Sequence, residues 1–477
     1  MSQQGKKLTR SLSVFSLAMI NLAALGSIKN WPVTAEYGFA SIFYLVLAAL
    51  VFFIPVALVS AELATGWPKT GGVFVWVKEA FGHRTGFLAI WLLWMENVLW
   101  YPTILSFLAS TIAFVFDPSL TENTSYMVGM ILAIFWGCTL ANLLGMKAST
   151  WISTFGVIFG TFIAGLIIIF LGALWFFQGK PLQIQFNLKS ALPNLSSIDQ
   201  MVFFTGVILS FCGIEMSAIH AREVKNPQKD YPKAILLTVI TIICLSLLGV
   251  LSVAIVIPQK EINLTAGSLQ AFSYFVESYN LNWVTPIMAG FIAIGALGSI
   301  STWIIGPSKG VLAAAKSGDL PPFCRKLNSR GMPVNLLIIQ ACIVSAITLL
   351  FLLMPTVSSA YWIITVIVSQ LYVIMYILMF AAAIKLRYKK PHIERSYKIP
   401  GGNIGMWIIA GMGIIAGAFT LLIGFFPPNQ LATGNKIFYL GFLISAVLLA
   451  CLAPGIILRF KKPSWNVPLS HEREESK

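Results

Sequence analysis

Apolar runs, each about as long as a bilayer is thick, follow one another along nearly the whole of this 477-residue chain. A helix that crosses a membrane needs ~20 mostly apolar residues. Lipid offers the peptide groups no water, so a spanning chain must be helical or a closed barrel. These runs are far longer than barrel strands, which leaves helices. We place spans at 12–35, 39–64, 84–115, 126–143, 149–177, 200–221, 233–257, 282–306, 334–354, 360–384, 404–425 and 437–458. With 57% hydrophobic and 10% charged residues, the chain has no room for a soluble domain.

The net charge of +15 would suit nucleic acid if the basic residues shared one face. They follow the spans instead. Of the 32 Lys and Arg, 27 fall in the two tails and in alternate loops, on one side of the predicted membrane. Only Lys180, Lys189, Lys260 and Lys436 fall in the opposite loops, and Lys29 lies inside a span. This asymmetry is the positive-inside pattern, which predicts cytoplasmic N and C termini. The expected partner is the lipid bilayer, with no role for nucleic acid. Met1–Arg10 is a short basic tail, and no cleavable signal peptide is expected.

Two of the runs are interrupted at matching places. The first reads Ala23-Ala24-Leu25-Gly26-Ser27-Ile28-Lys29-Asn30-Trp31-Pro32, and the sixth reads Ser210-Phe211-Cys212-Gly213-Ile214-Glu215-Met216-Ser217. Each puts a glycine and a charge near mid-membrane. Paired broken helices in two halves mark a transporter's binding site. The breaks are five spans apart, and a five-span repeat crosses an odd number of times, so its second copy must be inverted. The expected fold is all-α: one transmembrane unit over 1–477, with a first repeat at 12–177 and an inverted second repeat at 200–384. Two extra helices at 404–458 and a short cytoplasmic tail at 463–477 complete it. A broken helix exposes carbonyls at one stub and N–H groups at the other. An amino acid zwitterion needs both kinds. In the first break Asn30 is the expected cap of the second half-helix, and Pro32 suits its first turn. Gly26 and Gly213 permit close backbone approach.

Three charges lie deep in spans, and an intramembrane charge is a functional hypothesis by default. Glu215 either stabilises the inner half-helix N-terminus or acts as a gate or proton site. Lys29 either snorkels outward or receives an anionic side chain. Glu96, in Trp94-Met95-Glu96-Asn97, lies near the middle of span 3. An unpaired carboxylate there is costly, so Lys29 is its expected partner when substrate is absent. Trp303 on span 8 sits too deep for an interfacial belt, as do Tyr372 and Tyr376 on one face of span 10. They are either packing or site residues.

No cofactor or metal is expected, because the four histidines and six cysteines have no ligand spacing. A membrane-embedded enzyme would need a nucleophile, base or metal cluster at one depth, and the sequence offers none. A nutrient sensor would usually need a soluble domain or signalling tail.

Several motifs together resemble the amino acid–polyamine–organocation superfamily and, within it, most closely the glutamate/γ-aminobutyrate antiporter family. They are Phe53-Ile54-Pro55-Val56 with Ala61-Glu62-Leu63-Ala64-Thr65, Gly71-Gly72-Val73-Phe74, and Gly213-Ile214-Glu215 through Asn226-Pro227 to Asp230-Tyr231-Pro232. Ile257-Pro258 with Glu261-Ile262-Asn263-Leu264, Trp303 through Gly310, and Ile399-Pro400-Gly401-Gly402 continue the match. The resemblance runs from about Leu8 to Arg459.

It implies a leucine-transporter type of fold, a bacterial cytoplasmic membrane, and exchange of one amino acid for another by alternating access. The site it implies has Gly26, Ser27 and Ile28 around the substrate's carboxylate and amino groups. Asn97 matches a polar span-3 position, Glu215 the acid after the span-6 break, and Trp303 the span-8 aromatic. Tyr372 and Tyr376 match span-10 tyrosines of the glutamate exchangers. With Lys29, Glu96 and Phe211 added, these residues are the expected substrate site. In three places this chain departs from relatives: Lys29 replaces a tyrosine, Glu96 an apolar residue, and Leu209 a tryptophan of arginine exchangers. Span 5 lacks the Lys that some proton-coupled relatives carry there, which favours exchange. The expected function is therefore an amino acid antiporter, and the alternative is a proton-coupled amino acid symporter with Glu215 or Glu96 titrating. Lys29 argues for an acidic or neutral substrate side chain, and Glu96 for a basic one.

Overall fold

The computed structural model describes residues 13–68, 71–144, 156–193, 201–215, 226–428, 431–432 and 434–465. Among these residues every regular element is helical, apart from one isolated bridge between Leu327 and Pro333. Ten helices are long and apolar enough to cross a membrane: Gly38–Gly66, His83–Phe116, Thr124–Leu143, Ile158–Phe177, Lys229–Val256, Asn282–Ile300, Val334–Leu353, Val357–Lys389, Gly402–Ile423 and Lys436–Arg459.

The two expected spans missing from this set are the first and the sixth, the interrupted ones. The first is a helix Val14–Leu25, an extended Ser27 (φ −146°, ψ 119°), a 3₁₀ turn Ile28–Asn30 and a short helix Trp31–Ala35. In the sixth, the helix Phe204–Leu209 gives way to Gly213 at φ 120°, followed by a 3₁₀ turn that reaches Glu215. Met216, Ser217 and His220 lie outside the described residues, as do the first residues of span 5.

Pro32 sits in the first turn of its short helix, as expected. Asn30 does not cap that helix. The capping hydroxyl is Ser27 Oγ, which accepts from Lys29 N–H at 3.3 Å. Ser and Asn are equally good caps. The preceding 3₁₀ turn moves the first orphan N–H groups within reach of Ser27.

Two helices make the centre of the bundle. His83–Phe116 and Val357–Lys389 are buried over 78% and 83% of their apolar stretches, against 22% for Lys436–Arg459. That last helix carries a row of exposed apolar side chains (Leu448, Leu449, Leu452, Ile456), which suits lipid. With 34 residues, His83–Phe116 is about 51 Å long. It exceeds a ~30 Å hydrocarbon core, so it fits by tilting. Backbones touch where small residues allow it: a Cβ on Gly160 would lie 2.3 Å from Gly295 Cα. Such small-residue contacts are how lipid-embedded helices pack closely.

Gly71-Gly72 leads into the helix Val73–Phe81, with Val73, Phe74, Trp76, Val77 and Ala80 turned inward. The two glycines enter it at φ 128° and 47°, values that a side chain would strain. Beside it, the buried Glu62 binds Arg387 through Nε at 2.5 Å and a second nitrogen at 2.6 Å. Glu62 also accepts the Ile399 N–H at 2.9 Å. This bidentate pair locks the helix Ile54–Gly66 to the end of Val357–Lys389 and to the loop after it. It explains two sequence motifs at once, Ala61-Glu62 and Ile399-Pro400. At the other end of the bundle, Asn263 Oδ1 accepts from Thr265 N–H and Ala266 N–H at 2.9 Å each. Its Nδ2 reaches Glu122 at 3.2 Å, tying two loops together.

Candidate functional site

The two interruptions meet. Leu25, Ser27, Lys29 and Asn30 of the first run and Leu209, Ser210 and Cys212 of the sixth wall one cavity of about 50 Å³. Glu96, Asn97 and Trp100 close it from the central helix His83–Phe116, with Trp303 and Tyr372 from two more helices. That volume holds on the order of four water-sized groups. The wall is mostly apolar with a few convergent polar groups, the usual character of a small-molecule site.

Of the expected site residues, Ser27, Lys29, Glu96, Asn97, Trp303 and Tyr372 face this cavity. Gly26, Ile28, Phe211, Gly213, Glu215 and Tyr376 are not on its wall. Each of these has a structural position. Gly26 packs so closely that a Cβ would sit 2.6 Å from Leu22 O. The Ile28 carbonyl accepts the Trp31 N–H within the 3₁₀ turn and also a hydrogen bond from Ser268 Oγ at 2.6 Å. Phe211 stacks on Phe53 with centroids 4.8 Å apart. Gly213 donates its N–H to the Tyr376 hydroxyl at 2.8 Å. Tyr376 in turn donates to Glu215 Oε2, and Tyr372 donates to Glu215 Oε1 at 2.7 Å. Two stacked tyrosines thus grip one buried carboxylate just behind the wall.

The expected pairing of Lys29 with Glu96 is not what the structure contains. Lys29 Nζ donates to Thr103 Oγ1 at 3.0 Å and lies over the rings of Tyr361 (5.1 Å) and Trp100 (5.8 Å). Thr103 is seven residues beyond Glu96 on the same helix, about 10 Å along its axis. The ammonium is thus held by Thr103 and cushioned by aromatic faces rather than paired with the carboxylate. Glu96 is 2% exposed, and its Oε1 has no hydrogen-bond partner among the described residues. Asn97 Oδ1 accepts from Tyr101 OH at 2.7 Å, which leaves the amide nitrogen as the donor on offer.

Sequence reasoning missed Leu25, Asn30 as a wall residue, Trp100, Leu209, Ser210 and Cys212. Trp100 was within reach: it follows Glu96 by four residues and so shares its helix face. It stands beside Trp303 with centroids 6.0 Å apart. The small residues of the second break carry no chemical signal that would set them apart.

Among the described residues, ten bilayer-length helices around this cavity define a multi-pass membrane protein. Residues 12–447 match the amino acid permease family, and the chain belongs to that family. It is 44% identical over 448 residues to an uncharacterized transporter of Legionella pneumophila, spanning 94% of this chain and 96% of the relative. It is 34% identical over 451 residues to a glutamate/γ-aminobutyrate antiporter of Lactococcus lactis, spanning 92% and 89%. A cadaverine/lysine antiporter of Escherichia coli is 26% identical over 351 residues, 72% of each chain. The chain is thus an amino acid transporter by family, as its motifs suggested.

Proposed function

We propose that the protein is a secondary active amino acid antiporter that works by alternating access. The carrying observation is the meeting of two broken helices at one buried cavity. In this reading the first and sixth runs cross the membrane as broken spans. They bring the ten whole spans to twelve, arranged as inverted repeats at 12–177 and 200–384 with two further helices at 404–458. The positive-inside asymmetry sets both termini on the cytoplasmic side of a bacterial inner membrane.

Ser27, Lys29, Glu96, Asn97, Trp303 and Tyr372 contact the substrate in this reading. Gly26, Ile28, Phe211, Gly213, Glu215 and Tyr376 shape the break behind them. The antiporter relatives support exchange over proton symport, and the substrate is an amino acid small enough for the cavity. Exchange then requires that the loaded carrier, and not the empty one, interconvert readily between its inward and outward states.

Counterflow in liposomes tests the proposal. Labelled amino acid should enter rapidly only when unlabelled amino acid is inside. Uptake into empty vesicles driven by a pH gradient, equal in rate to counterflow, would establish the symporter instead. In the same assay Trp303→Ala should lower exchange about tenfold or more. Removing an aromatic contact worth ~1.5 kcal/mol has that effect on binding. The variant should still insert, because Trp303 lies against the cavity rather than in the lipid-facing shell.

A further inference from the structure

The two charges in the cavity wall are unequal in one respect. Lys29 already has its compensation, from the Thr103 hydroxyl and from two aromatic rings. Glu215, the other carboxylate nearby, is satisfied on both oxygens by tyrosine hydroxyls. Glu96 is buried, on the wall, and has an oxygen with no partner among the described residues. Burying an ionised carboxylate without a partner is costly. The cavity therefore offers an unfilled cation position at Glu96, while Lys29 lines the same cavity without pairing to it.

We propose that Glu96 is the specificity-determining residue of this carrier: it binds the substrate's ammonium group, with the substrate's carboxylate directed toward Lys29. The site then takes compact amino acids that carry one carboxylate and one ammonium, and it discriminates against dicarboxylic amino acids, whose second carboxylate would meet Glu96. This deepens the proposed function and rests on it. A lone diamine satisfies Glu96 but is repelled by Lys29, so the class is zwitterionic rather than cationic.

The test is equilibrium binding to the full-length protein in detergent, with alanine, γ-aminobutyrate, glutamate and putrescine as probes. Wild type should bind the better of the two zwitterions at least about tenfold more tightly than glutamate or putrescine. Glu96→Gln, which keeps the shape and removes the charge, should lose about tenfold or more of that zwitterion affinity and bring glutamate level with it. Glu96→Asp keeps the carboxylate and should keep the wild-type order. It serves as the second variant if the glutamine form folds poorly. A wild type that prefers glutamate overturns the inference, and so does a glutamine variant with the wild-type order. A glutamine variant that retains substrate order but loses the pH dependence of exchange also overturns it, by making Glu96 a proton site. A wild type that exchanges amino acids, yet fails these binding comparisons, refutes the role of Glu96 alone. A wild type that binds and exchanges no amino acid refutes the transport reading itself, and this inference with it.

Discussion

Arg387→Ala is expected to cost about 3–5 kcal/mol of stability, the range for leaving one half of a buried ion pair alone. Glu62 is 1% exposed and would lose both guanidinium hydrogen bonds, at 2.5 and 2.6 Å. Two contacts remain, the Ile399 N–H at 2.9 Å and Arg395 Nε at 3.6 Å, and they pull the loss toward the lower end of that range. Arg387→Lys should recover only part, because an ammonium cannot make the forked contact. Tryptophan-fluorescence melting in detergent reads the effect as a fall of several degrees in apparent Tm. A shift no larger than that of an exposed-site alanine would show that the pair does not hold these three segments together.

Gly213→Ala is expected to abolish most exchange, by about 100-fold, while leaving the protein inserted. The reason is the backbone and not the space. A Cβ there would meet Trp303 at 3.6 Å and Leu25 at 3.8 Å, ordinary contacts. The φ of 120° is one that alanine rarely adopts, and holding it costs about 1–3 kcal/mol. The chain escapes by rotating, which pulls the Gly213 N–H from Tyr376 OH and disturbs the tyrosine grip on Glu215. Counterflow rate normalised to inserted protein is the measurement. A wild-type rate would mean that the break tolerates ordinary backbone geometry.

The lipid-forced parts of this fold were legible in the sequence, and the contacts that depend on depth were not. Each uninterrupted run became a bilayer-length helix, because peptide groups in hydrocarbon have no other way to pair. The breaks at Gly26 and Gly213 were legible because glycine and charge together interrupt an apolar run. Lys29, Glu96, Trp303 and Tyr372 stood out by their depth and Asn97 by the family resemblance, and all five line one cavity. Sequence reasoning erred where a decision turned on a few ångströms along an axis. Lys29 was matched to Glu96 by charge, yet Thr103 two turns on and the rings of Trp100 and Tyr361 receive it. Asn30 was matched to a helix start, yet an intervening 3₁₀ turn gave the cap to Ser27. Glu215 and Tyr376 were assigned to the substrate, and the structure sets them one layer behind, joined to each other. Nothing in a string of residues distinguishes a wall from the layer supporting it.

The most direct measurement is a cryo-electron microscopy map of the protein with its transported amino acid bound. The account predicts ligand density between the Ser27–Asn30 segment and the Ser210–Cys212 segment, with both main chains unwound there. Uninterrupted helical density through Gly26 or Gly213, or a ligand seated away from both segments, would contradict it.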